Sequence, residues 1–502
     1  MKLIQGSFFT SKVICGHIFF VISLFLLIIG LQNIILFQKV RWALNLAERT
    51  HMFVVSSFYY ESSKSLPPNT IAIIYAARKH VSDFPIMCHS QDAFGRHREA
   101  PARTDMALVA PVQCKWTVMV ALCPVVNKPV KFALEGDRGK TQVLPFQPAD
   151  SVERRFVVCM SRMFLFENWQ LLISSLEIYR YYGADLIVTY LDSLLSDIYT
   201  ILRAYEKEGF LKLKPAVRFI KPKDIDYDPN AENEWYNQDA TYNSCLYEFK
   251  DSAQFILIAD WDDVLVPNSH KTYGDEMLWL SEMHPQAASF IFQRPQTTLH
   301  TSGQLFVIAS HSPARFDLKQ MIDTAVTDQN DLVTGKFVGR PARIDGIWLH
   351  APTRVRPGYE VIELGTRHAL VHHFRRWNFI EKMLKPTLNR TYIAPGDSVN
   401  NSFNKFLARN NLTQTFLHLP NYFAYYNKLT ECYKRFASLL DHHSMNACPS
   451  LPKCQLPVKA NHSCMNLEQH YTSTNLLNGF VIHHSVLDEY VETKEACRTN
   501  TL

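Results

Sequence analysis

From the sequence we predict an α/β protein in which a small β-rich domain and a single N-terminal transmembrane helix precede a domain built on a parallel sheet. From Arg155 onward, strand patterns alternate with helical patterns, which is typical of a parallel sheet covered by helices on both faces. One apolar run, residues 255–259, leads directly into Asp260, Asp262 and Asp263. Such a run indicates a buried strand whose carboxyl end carries the acids to a ligand site.

Composition and charge narrow the class of protein. The 502 residues leave room for two or three domains, and 47% of them are hydrophobic, so a large core is available. The formal net charge is only +5, and no run of Lys and Arg is long enough to follow a phosphate backbone. We therefore expect no nucleic-acid partner.

Residues 13–37 form a nearly uninterrupted apolar stretch. A helix of this length can cross a bilayer core of about 30 Å. The stretch is longer than the apolar core of a usual signal peptide and lacks an Ala-x-Ala cleavage site, which favours an uncleaved signal anchor over a peptide cut near Gly30. Residues 1–12 then form a short cytosolic tail.

Cysteines and glycosylation sequons indicate the compartment of the remaining chain. Ten of the eleven cysteines follow Cys15, which lies in the apolar stretch, and an even number suits disulfides in an oxidising compartment. Asn-x-Ser/Thr sequons occur at Asn389, Asn400, Asn411 and Asn461. We therefore expect a single-pass, type II membrane glycoprotein of the Golgi or secretory pathway, with a lumenal catalytic domain.

Three further segments are distinguished by composition. Residues 38–69 end in a Ser- and Pro-containing stretch and are predicted to form a stem and linker. Residues 70–150 contain short β-rich runs between turns and are predicted to form the small β-rich domain. In the tail, residues 431–502, we expect disulfides rather than a zinc site, because the cysteine spacing matches no strong zinc template.

Local signals place the elements of the α/β domain. Apolar residues at helical spacing predict a helix over 168–182. Ser196 is predicted to cap the N-terminus of a helix that runs through Glu208. A strand is predicted over 217–220, and a helix over 234–250 leads into the strand that carries the acids.

The three acids require a positive partner, because like charges a few residues apart repel one another. Hard oxygen ligands suit Mg²⁺ or Mn²⁺, and such an ion can bring phosphates with it. The alternative for these residues is an acidic turn that caps a neighbouring helix.

Several blocks of the sequence resemble one enzyme family. They are, in chain order, VCMSRMFLFENWQ, YYGADLIVTYLDS, LRAYEKEGFLKL, EWYNQDATYNSCLYEFK, FILIADWDDVLVP, GKFVGRPARIDGIWLHAP and ALVHHFR. In this order they resemble glycosyltransferase family 92, over a catalytic domain that we place at residues 151–430. The resemblance implies a glycosyltransferase-A (Rossmann-like) fold, a UDP-sugar donor and a divalent metal, usually Mn²⁺. It also implies inverting transfer of galactose from UDP-galactose to a glycan acceptor on a glycoprotein or glycolipid.

The resemblance extends to particular residues. The metal ligands that it implies are Asp260, Asp262, Asp263, His373 and His350. The residues that it implies for binding the donor are Tyr190, Asp192, Asn237, Gln238, Asp260 and Arg375. Trp261 departs from the family, which more often has Leu or Ile at this position.

Inversion requires a general base that takes the proton from the acceptor hydroxyl, normally a carboxylate. The sequence offers seven acids beyond the acidic strand: Asp317, Asp323, Asp328, Asp331, Asp345, Glu360 and Glu363. We favour Asp331 and Asp328, because an acceptor can approach the polar loop in which they lie, and we retain Glu363 as a third candidate.

Two other functions fit parts of the sequence. DWDDV resembles the nucleophile motif of a haloacid-dehalogenase-like phosphatase, and GDSVNN at residues 396–401 resembles its later acidic loop, with Lys385 upstream. That motif normally lies on the first strand of its domain, whereas about three predicted strands precede it here. A non-catalytic lumenal glycan-binding protein could also keep the fold, although loss of activity usually removes one of the motif acids.

Overall fold

The structure is a computed structural model that describes residues 50–79, 86–135, 141–301, 316–379, 390–420, 423–441, 447–454, 456, 462–475 and 480–498. The predicted cytosolic tail and transmembrane helix, residues 1–37, lie outside these ranges. Among the described residues, no helix has the length and apolar character needed to cross a membrane.

Strands and helices alternate through the middle of the chain. The strands are β1 (Thr50–Tyr60), β2 (Thr70–Arg78), β3 (Met87–Asp92), β4 (His97–Pro101), β5 (Arg103–Met106), β6 (Trp116–Pro124), β7 (Pro129–Glu135), β8 (Thr141–Val143), β9 (Gln147–Pro148), β10 (Arg154–Met160), β11 (Leu186–Leu191), β12 (Ser193–Leu195), β13 (Leu211–Pro215), β14 (Ala253–Ala259), β15 (Asp263–Val266), β16 (Ala287–Thr301), β17 (Val326–Gly339), β18 (Ile344–Ile347), β19 (Pro352–Val355), β20 (Glu360–Glu363), β21 (Leu370–Phe379), β22 (Cys464–Asn475) and β23 (Phe480–Thr493). The helices are α1 (Trp169–Tyr181), α2 (Ser196–Lys207), α3 (Gln238–Glu248), α4 (Tyr273–Met283), α5 (Leu318–Asp323), α6 (Gly396–Arg409), α7 (Thr413–His418) and α8 (Tyr426–Asp441).

The central layer is a nine-stranded sheet in the order β13-β11-β10-β14-β17-β16-β21-β15, with β20 beside β16. The first four strands of this order are parallel to one another, which confirms the α/β class. Beyond β14 the sheet is mixed, since β17 runs antiparallel to both β14 and β16. The parallel sheet predicted from the sequence is therefore correct for only part of the layer.

Strand β10 shows how this sheet is buried. Phe156, Val158 and Met160 pack into the core on one face, whereas Val157 and Cys159 pack into the core on the other face. Alternate residues of a strand point to opposite faces, so an uninterrupted apolar strand requires cover on both. The acids that follow β14 are thus delivered at the edge of a sheet that is otherwise enclosed.

A second, eight-stranded sheet has the order β12-β22-β23-β1-β2-β6-β5, with β9 beside β1. Its strands cross the boundaries predicted from the sequence. β1 lies in the predicted stem, 38–69, and both β22 and β23 lie in the predicted tail, 431–502. The parallel pairing of β1 with β23 joins segments more than 400 residues apart and has no local signal. The division into domains stays a prediction.

Three local predictions differ from the structure. Ser196 is the first residue of α2 rather than its N-cap, a position occupied by Leu195. The strand predicted over 217–220 is instead β13, which ends at Pro215. The helix predicted over 234–250 begins only at Gln238, because the three preceding residues have positive φ angles that no α-helix contains.

Five disulfides confirm the expectation drawn from the cysteine count. They pair Cys88 with Cys123, Cys114 with Cys448, Cys159 with Cys245, Cys432 with Cys454, and Cys464 with Cys497. The second of these joins the β-rich region to the tail across 334 residues of sequence. The tail is therefore an integral part of the folded structure.

The close approach of β17 to β16 generates a prediction about stability. A Cβ atom at Gly335 would lie 2.4 Å from the carbonyl oxygen of Phe292, so Gly335→Ala forces the two strands apart. Overpacking of this kind should lower the free energy of unfolding by about 1–3 kcal/mol. Thermal unfolding followed by circular dichroism measures this as a lower Tm. Gly365→Ala is the control, because nothing lies within 4 Å of that Cβ position; equal melting temperatures for both variants would contradict the packing argument.

Candidate active site

A cavity of about 340 Å³ lies where β10 and β14 end. One wall is the loop that follows β10, from Ser161 to Asn168. Another is the turn Asp260–Asp262, and a third is provided by α8, through side chains including Tyr426 and Tyr433. The carboxyl ends of neighbouring parallel strands form the usual ligand crevice of an α/β sheet, so this cavity is the candidate active site.

Asp260 is held by donors on three sides. Its carboxylate accepts hydrogen bonds from Nε2 of Gln238 at 3.1 Å, from the hydroxyl of Tyr242 at 3.2 Å and from Nζ of Lys336 at 2.7 Å. Burial alone would raise the pKa of Asp260, but the Lys336 ammonium, helped by Arg294, holds the pKa below its ordinary value. Asp260 is therefore ionised and fixed in orientation.

Asp263 is fully buried and both of its oxygens are engaged. Oδ1 accepts a hydrogen bond from Nε of Arg294 at 2.5 Å. Oδ2 accepts one from the backbone N–H of Asp260 at 3.2 Å and lies 3.4 Å from Nζ of Lys336. Asp263 thus anchors the two cations, which leaves it less able to act as a metal ligand than its position in the motif suggests.

Asp262 and His373 form a close pair in which the histidine is buried and the carboxylate is partly exposed. Oδ2 of Asp262 lies 3.1 Å from Nε2 of His373, and the Asp262 side chain is 28% exposed. Two neighbouring ligands of an octahedral ion lie about 3 Å apart, so this separation fits two ligands of one metal. Asp262, Asp263 and His373 together offer ligand atoms within 4.8 Å of one another, and this group can hold a divalent metal.

His350 also lines the cavity. Its Nδ1 lies 2.8 Å from the carbonyl oxygen of Gly335, and since a carbonyl only accepts, the proton is on Nδ1 and Nε2 keeps its lone pair. Burial, together with the nearby charge of Lys336, lowers the pKa of His350 to about 4. The imidazole is therefore neutral at physiological pH, as a metal ligand must be.

The residues predicted to bind the donor are not all brought to the cavity. Gln238 and Asp260 line it, but Tyr190, Asp192 and Asn237 do not. Tyr190 is buried in the apolar core. Asp192 accepts a hydrogen bond from Nη2 of Arg162 at 2.5 Å.

Asn237 and Arg375 are the other two residues predicted to bind the donor. The amide of Asn237 donates to the carbonyl oxygen of Val217 at 3.0 Å and to Oδ1 of Asn230 at 2.8 Å, so it braces the backbone. The side chain of Arg375 lies outside the described part of the structure. The donor-binding roles of all these residues stay predictions.

The three base candidates lie away from the cavity. Asp328 and Asp331 are on β17 and Glu363 ends β20, and none of them lines the cavity formed by the described residues. The acids that do line it are Asp260, Asp262 and Glu167. The role of the three candidates stays a prediction.

Sequence reasoning missed three charged residues that shape the site. Arg294 and Lys336 supply the cations for the acids, and no signal in the sequence identifies them, since both lie in strands that contain other polar residues. Glu167 accepts backbone N–H groups of residues 424, 425 and 426 at 2.9, 2.6 and 2.6 Å, so it caps the start of α8. Burial raises the pKa of Glu167 to about 7, although these three N–H groups oppose the shift.

A left-handed turn precedes α3. Trp235, Tyr236 and Asn237 have φ angles of 47°, 58° and 64°. Three successive non-glycine residues in this region are strained, by roughly 1–3 kcal/mol each, and such strain is found at functional sites. The tail holds the turn, since the N–H of Trp235 donates to the carbonyl of Pro449 at 2.7 Å. The turn places Gln238 beside Asp260.

The residues that suggested a phosphatase are not brought together at the cavity. Asp397, in GDSVNN, is exposed, forms an ion pair with Lys319 at 3.0 Å and does not line the cavity. Lys385 lies outside the described residues. Within the part of the chain that the structure describes, Asp260 therefore has no acidic loop of that kind beside it.

Comparison with known proteins identifies the family. The sequence model of glycosyltransferase family 92 matches residues 154–412, more than half of the chain, and the matched region contains the acids and His373. The chain therefore belongs to glycosyltransferase family 92. This confirms the family resemblance and makes the protein a glycosyltransferase.

Related proteins cover nearly the whole chain. One glycosyltransferase family 92 protein of Caenorhabditis elegans is 25% identical over 480 residues, which are 90% of this chain and 89% of that protein. A second from the same organism is 26% identical over 428 residues, covering 81% and 82% of the two chains. The similarity therefore extends beyond the matched family region, into the β-rich region or the tail.

Solved structures give weaker matches. S. aureus TarS in complex with UDP-GlcNAc is 11% identical, with a TM-score of 0.24, and the match covers 51% of this chain and 73% of that one. UDP-glucose pyrophosphorylase complexed with UDP-glucose is 8% identical, with a TM-score of 0.20. At these TM-scores we draw no argument from the similarity.

The buried ammonium of Lys336 should stabilise the protein to an extent that depends on pH. Lys336→Met leaves Asp260 and Asp263 without their shared ammonium, and breaking a buried ion pair should lower the free energy of unfolding by about 3–5 kcal/mol at pH 7. The folded-state pKa of Asp260 is depressed by Lys336, so the stabilisation is present above the ordinary Asp pKa and is lost as the pH falls. Denaturant titrations should show a loss that shrinks below a pH of about 4.

Lys319→Met is the matched control for this variant. Its ammonium also bridges two carboxylates, those of Asp323 and Asp397, but at a solvent-exposed site. We expect a small change in stability from this substitution, because solvent screens exposed ion pairs. Equal losses for the two lysine variants would show that Lys336 is not the stabilising cation of the acidic group.

Proposed function

We propose that this glycosyltransferase is metal-dependent and transfers galactose from UDP-galactose, with inversion, onto a glycan acceptor. The observation that carries the metal dependence is the pair Asp262 and His373, held 3.1 Å apart in a cavity at the end of the acidic strand. Mn²⁺ accepts both carboxylate and imidazole ligands, so it suits this mixed pair. The choice of galactose rests on the family resemblance alone.

The charges around the acids support binding of a metal together with a diphosphate. Three carboxylates face two buried cations, Lys336 and Arg294, so the group carries one net negative charge when the histidines are neutral. A bound divalent ion would change the net charge of the group from minus one to plus one. The diphosphate of a nucleotide sugar, which carries two negative charges, would then return it to minus one. A diphosphate alone would make the net charge of the site more negative, so its binding is favoured only after the metal has bound.

Each residue of the group has a distinct part in this proposal. Asp262 and His373 would hold the metal, with His350 as a further ligand. Asp260, fixed by Gln238 and Lys336, would place a second carboxylate beside it. When bound, the metal supplies positive charge to the leaving diphosphate. Arg294 lines the cavity as well and is suited to forked contacts with phosphate oxygens.

Inversion follows from a single displacement. The acceptor hydroxyl oxygen attacks the anomeric carbon while a base takes its proton, and UDP leaves from the opposite face of the sugar. Asp328, Asp331 and Glu363 remain our candidates for this base. The parallel strands β10 and β14, which both end at the cavity, support a glycosyltransferase-A type of domain, in which the donor occupies the carboxyl ends of such strands.

Replacement of Asp262 tests the metal role. Asp262→Asn removes the anionic ligand but leaves a partly exposed side chain of the same shape, so the fold should persist. We expect Mn²⁺-dependent release of UDP from UDP-galactose to fall by at least about a hundredfold, because a site without its charged ligand cannot stabilise the leaving group. A panel of nucleotide sugars, each with and without Mn²⁺, measures the donor and the metal requirement together.

Asp263→Asn is the contrasting variant. Asp263 anchors Arg294 in a fully buried position, so its replacement should lower Tm as well as activity, whereas Asp262→Asn should lower activity alone. Full activity in Asp262→Asn would refute the metal role. Folded wild-type protein that binds UDP with Mn²⁺ but transfers sugar to no acceptor would favour the glycan-binding function.

We also propose that the protein is anchored in the Golgi membrane by residues 13–37, with the rest of the chain in the lumen. Five disulfides support an oxidising compartment. The sequon at Asn411 supports a lumenal location as well, since this residue is exposed just after α6 ends. An oligosaccharyltransferase can reach such a side chain.

Expression of the full chain in animal cells tests this placement. We expect the protein to stay with membranes after alkaline extraction and its mobility to increase after treatment with an N-glycosidase. Asn411→Gln should remove part of that mobility shift, because one glycan is lost. Glycan-free protein in the supernatant would contradict both the anchor and the lumenal location.

A further inference from the structure

Four buried polar side chains form a hydrogen-bonded chain beside the left-handed turn that precedes α3. Asn230, Asn237, Asn233 and Asp239 follow one another in this chain, and each is 0% exposed. Polar groups buried in this way need hydrogen-bond partners, because an unpaired donor or acceptor is costly in a low dielectric. The orientation of each amide can be deduced in turn, starting from the backbone.

Phe219 fixes the first amide of the chain. Its backbone N–H donates to Oδ1 of Asn230 at 2.7 Å, and its carbonyl oxygen accepts from Nδ2 of Asn230 at 2.8 Å. Asn237 therefore presents Nδ2 to Oδ1 of Asn230, at 2.8 Å, and turns its own Oδ1 away. That Oδ1 accepts from Nδ2 of Asn233 at 3.1 Å, so the amide of Asn233 cannot be reversed without loss of this hydrogen bond.

The end of the chain lacks one hydrogen bond. Nδ2 of Asn233 also donates to Oδ1 of Asp239 at 2.8 Å, and the same Oδ1 accepts the backbone N–H of Ala240 at 2.8 Å. Oδ1 of Asn233 and Oδ2 of Asp239 are both buried and have no partner among the described residues. An amide oxygen and a carboxylate oxygen only accept, whereas one proton added to the carboxylate makes it a donor.

The surroundings of Asp239 favour the protonated form. Burial raises the pKa of Asp239 to about 7, although the N–H of Ala240 and the amide of Asn233 oppose the shift. Burial, together with the charge of Asp239, also raises the pKa of Glu234 to about 8, and the ammonium of Lys79 only partly offsets this. Two acids that share a buried region with so little positive charge are more stable with protons bound.

The charged side chains of the other elements packed against α3 have partners of their own. These pairs are Arg154 with Asp150, Arg155 with Asp275, Asp345 with Lys250, His51 with Asp224, and Arg78 with the hydroxyl of Tyr227. Because each is engaged by its partner, none of them replaces the missing proton of Asp239.

We propose that Asp239 is a neutral carboxylic acid whose proton lies between its Oδ2 and Oδ1 of Asn233, and that this acid–amide pair positions Gln238 at the cavity. The added proton gives both partnerless oxygens a hydrogen bond. The positioning role rests on the proposed function, whereas the protonation does not. Asp239 is a positioning residue, since it does not itself line the cavity.

The acid–amide pair acts on the cavity through the strained turn, residues 235–237. Asn233 precedes the turn and Asp239 follows it, so their pairing ties its two ends together. Gln238 lies between the turn and Asp239, and its Nε2 donates to Oδ1 of Asp260 at 3.1 Å. An ionised Asp239 would direct a full negative charge at the Asn233 oxygen and separate the pair. The strained turn would lose this brace, and Gln238 would lose its fixed position.

Asp239→Asn tests the protonation, because an amide at this position can donate to Asn233 as the acid is proposed to do. A carboxyl with a raised pKa holds a proton in the folded state that the unfolded state releases, so folding of the wild type becomes less favourable as the pH rises from about 4 to about 7. The variant has no such proton. In denaturant titrations its folding equilibrium constant should rise relative to that of wild type, by up to about tenfold per pH unit over this range.

Asp192→Asn is the matched control. Asp192 is also buried, but it is paired with Arg162 at 2.5 Å, so its replacement leaves a buried cation unpaired and should lower the stability at pH 7. The two substitutions should therefore have opposite effects at this pH. If Asp239→Asn is destabilised or does not fold, an ionised carboxylate is required and the proposal is overturned. A stability difference from wild type that does not change with pH would overturn it as well.

Calorimetry of UDP with Mn²⁺ on the full-length protein tests the positioning role. Between about pH 6 and pH 8 the affinity of the wild type should fall about tenfold relative to that of Asp239→Asn, because only the wild type has a proton to lose at this position. Effects of pH on the metal ligands and on the diphosphate cancel in this ratio, since both proteins share them.

Gln238→Ala shows whether the effect passes through Gln238. In that background Asp239→Asn should leave the pH dependence of UDP binding unchanged, because the group to be positioned is absent. A pH-dependent difference that persists without Gln238, or a ratio of affinities that is constant with pH when Gln238 is present, would overturn the positioning role.

Failure of this inference is distinguishable from failure of the proposed function. The stability comparison needs no ligand, so it decides the protonation of Asp239 whether or not the protein binds a nucleotide. If folded wild-type protein binds no UDP with Mn²⁺, the proposed function and the positioning role are both refuted. If UDP binds with Mn²⁺ but with the same pH dependence in wild type and Asp239→Asn, the proposed function stands and the positioning role is refuted alone.

Discussion

The contacts of Lys336 and Arg294 with the three acids are the constraint on which the candidate site depends. Three carboxylates within four residues repel one another, and the sheet brings two cations from neighbouring strands to meet them. β17 lies beside β14, so Lys336 reaches Asp260 and Asp263 directly. β16 lies one strand further on and supplies Arg294. The mixed part of the sheet thus supplies the positive charges that lie against the acids at the end of the parallel part.

This arrangement separates structural acids from functional ones. Asp263 is fully buried between the cations, whereas Asp262 is partly exposed and faces His373. The motif therefore contains one anchor, Asp263, and one acid that faces the cavity, Asp262. Three carboxylates and two cations leave a net charge of minus one, and in the proposed function this charge couples the binding of a metal to that of an anion.

The cavity is assembled from segments that are distant in sequence. α8 begins 259 residues after Glu167, yet the Glu167 carboxylate, in the loop after β10, caps it. The left-handed turn before α3 is held by the tail, which a disulfide attaches to the β-rich region. The strain of that turn is sustained by these long-range contacts, so the tail contributes to the site although it lies beyond the matched family region.

These contacts explain how far the sequence could predict the structure. A buried apolar strand that ends in acids is a local pattern, so β14 and its motif could be placed, and His373 followed from an ordered block. Lys336 and Arg294 could not be anticipated, because each lies in a strand with other polar residues and a local pattern does not show which charge a side chain faces. The pairing of β1 with β23 and the position of α8 depend on contacts across hundreds of residues, which no local periodicity encodes. Tyr190 lies near the end of β11 with its side chain buried in the core, and the position of a residue at a strand end does not show whether its side chain reaches the cavity.

The most direct test of this account is the coupling between Mn²⁺ and UDP in binding to the full-length protein. Calorimetry of each ligand with and without the other measures this coupling, which must be the same in both directions. We expect UDP to lower the Kd for Mn²⁺ by at least about tenfold and Mn²⁺ to lower the Kd for UDP by the same factor. The coupling should disappear in Asp262→Asn. Tight UDP binding that is unchanged by removal of divalent metal would contradict the central claim that the acids, the metal and the diphosphate form one electrostatically coupled unit.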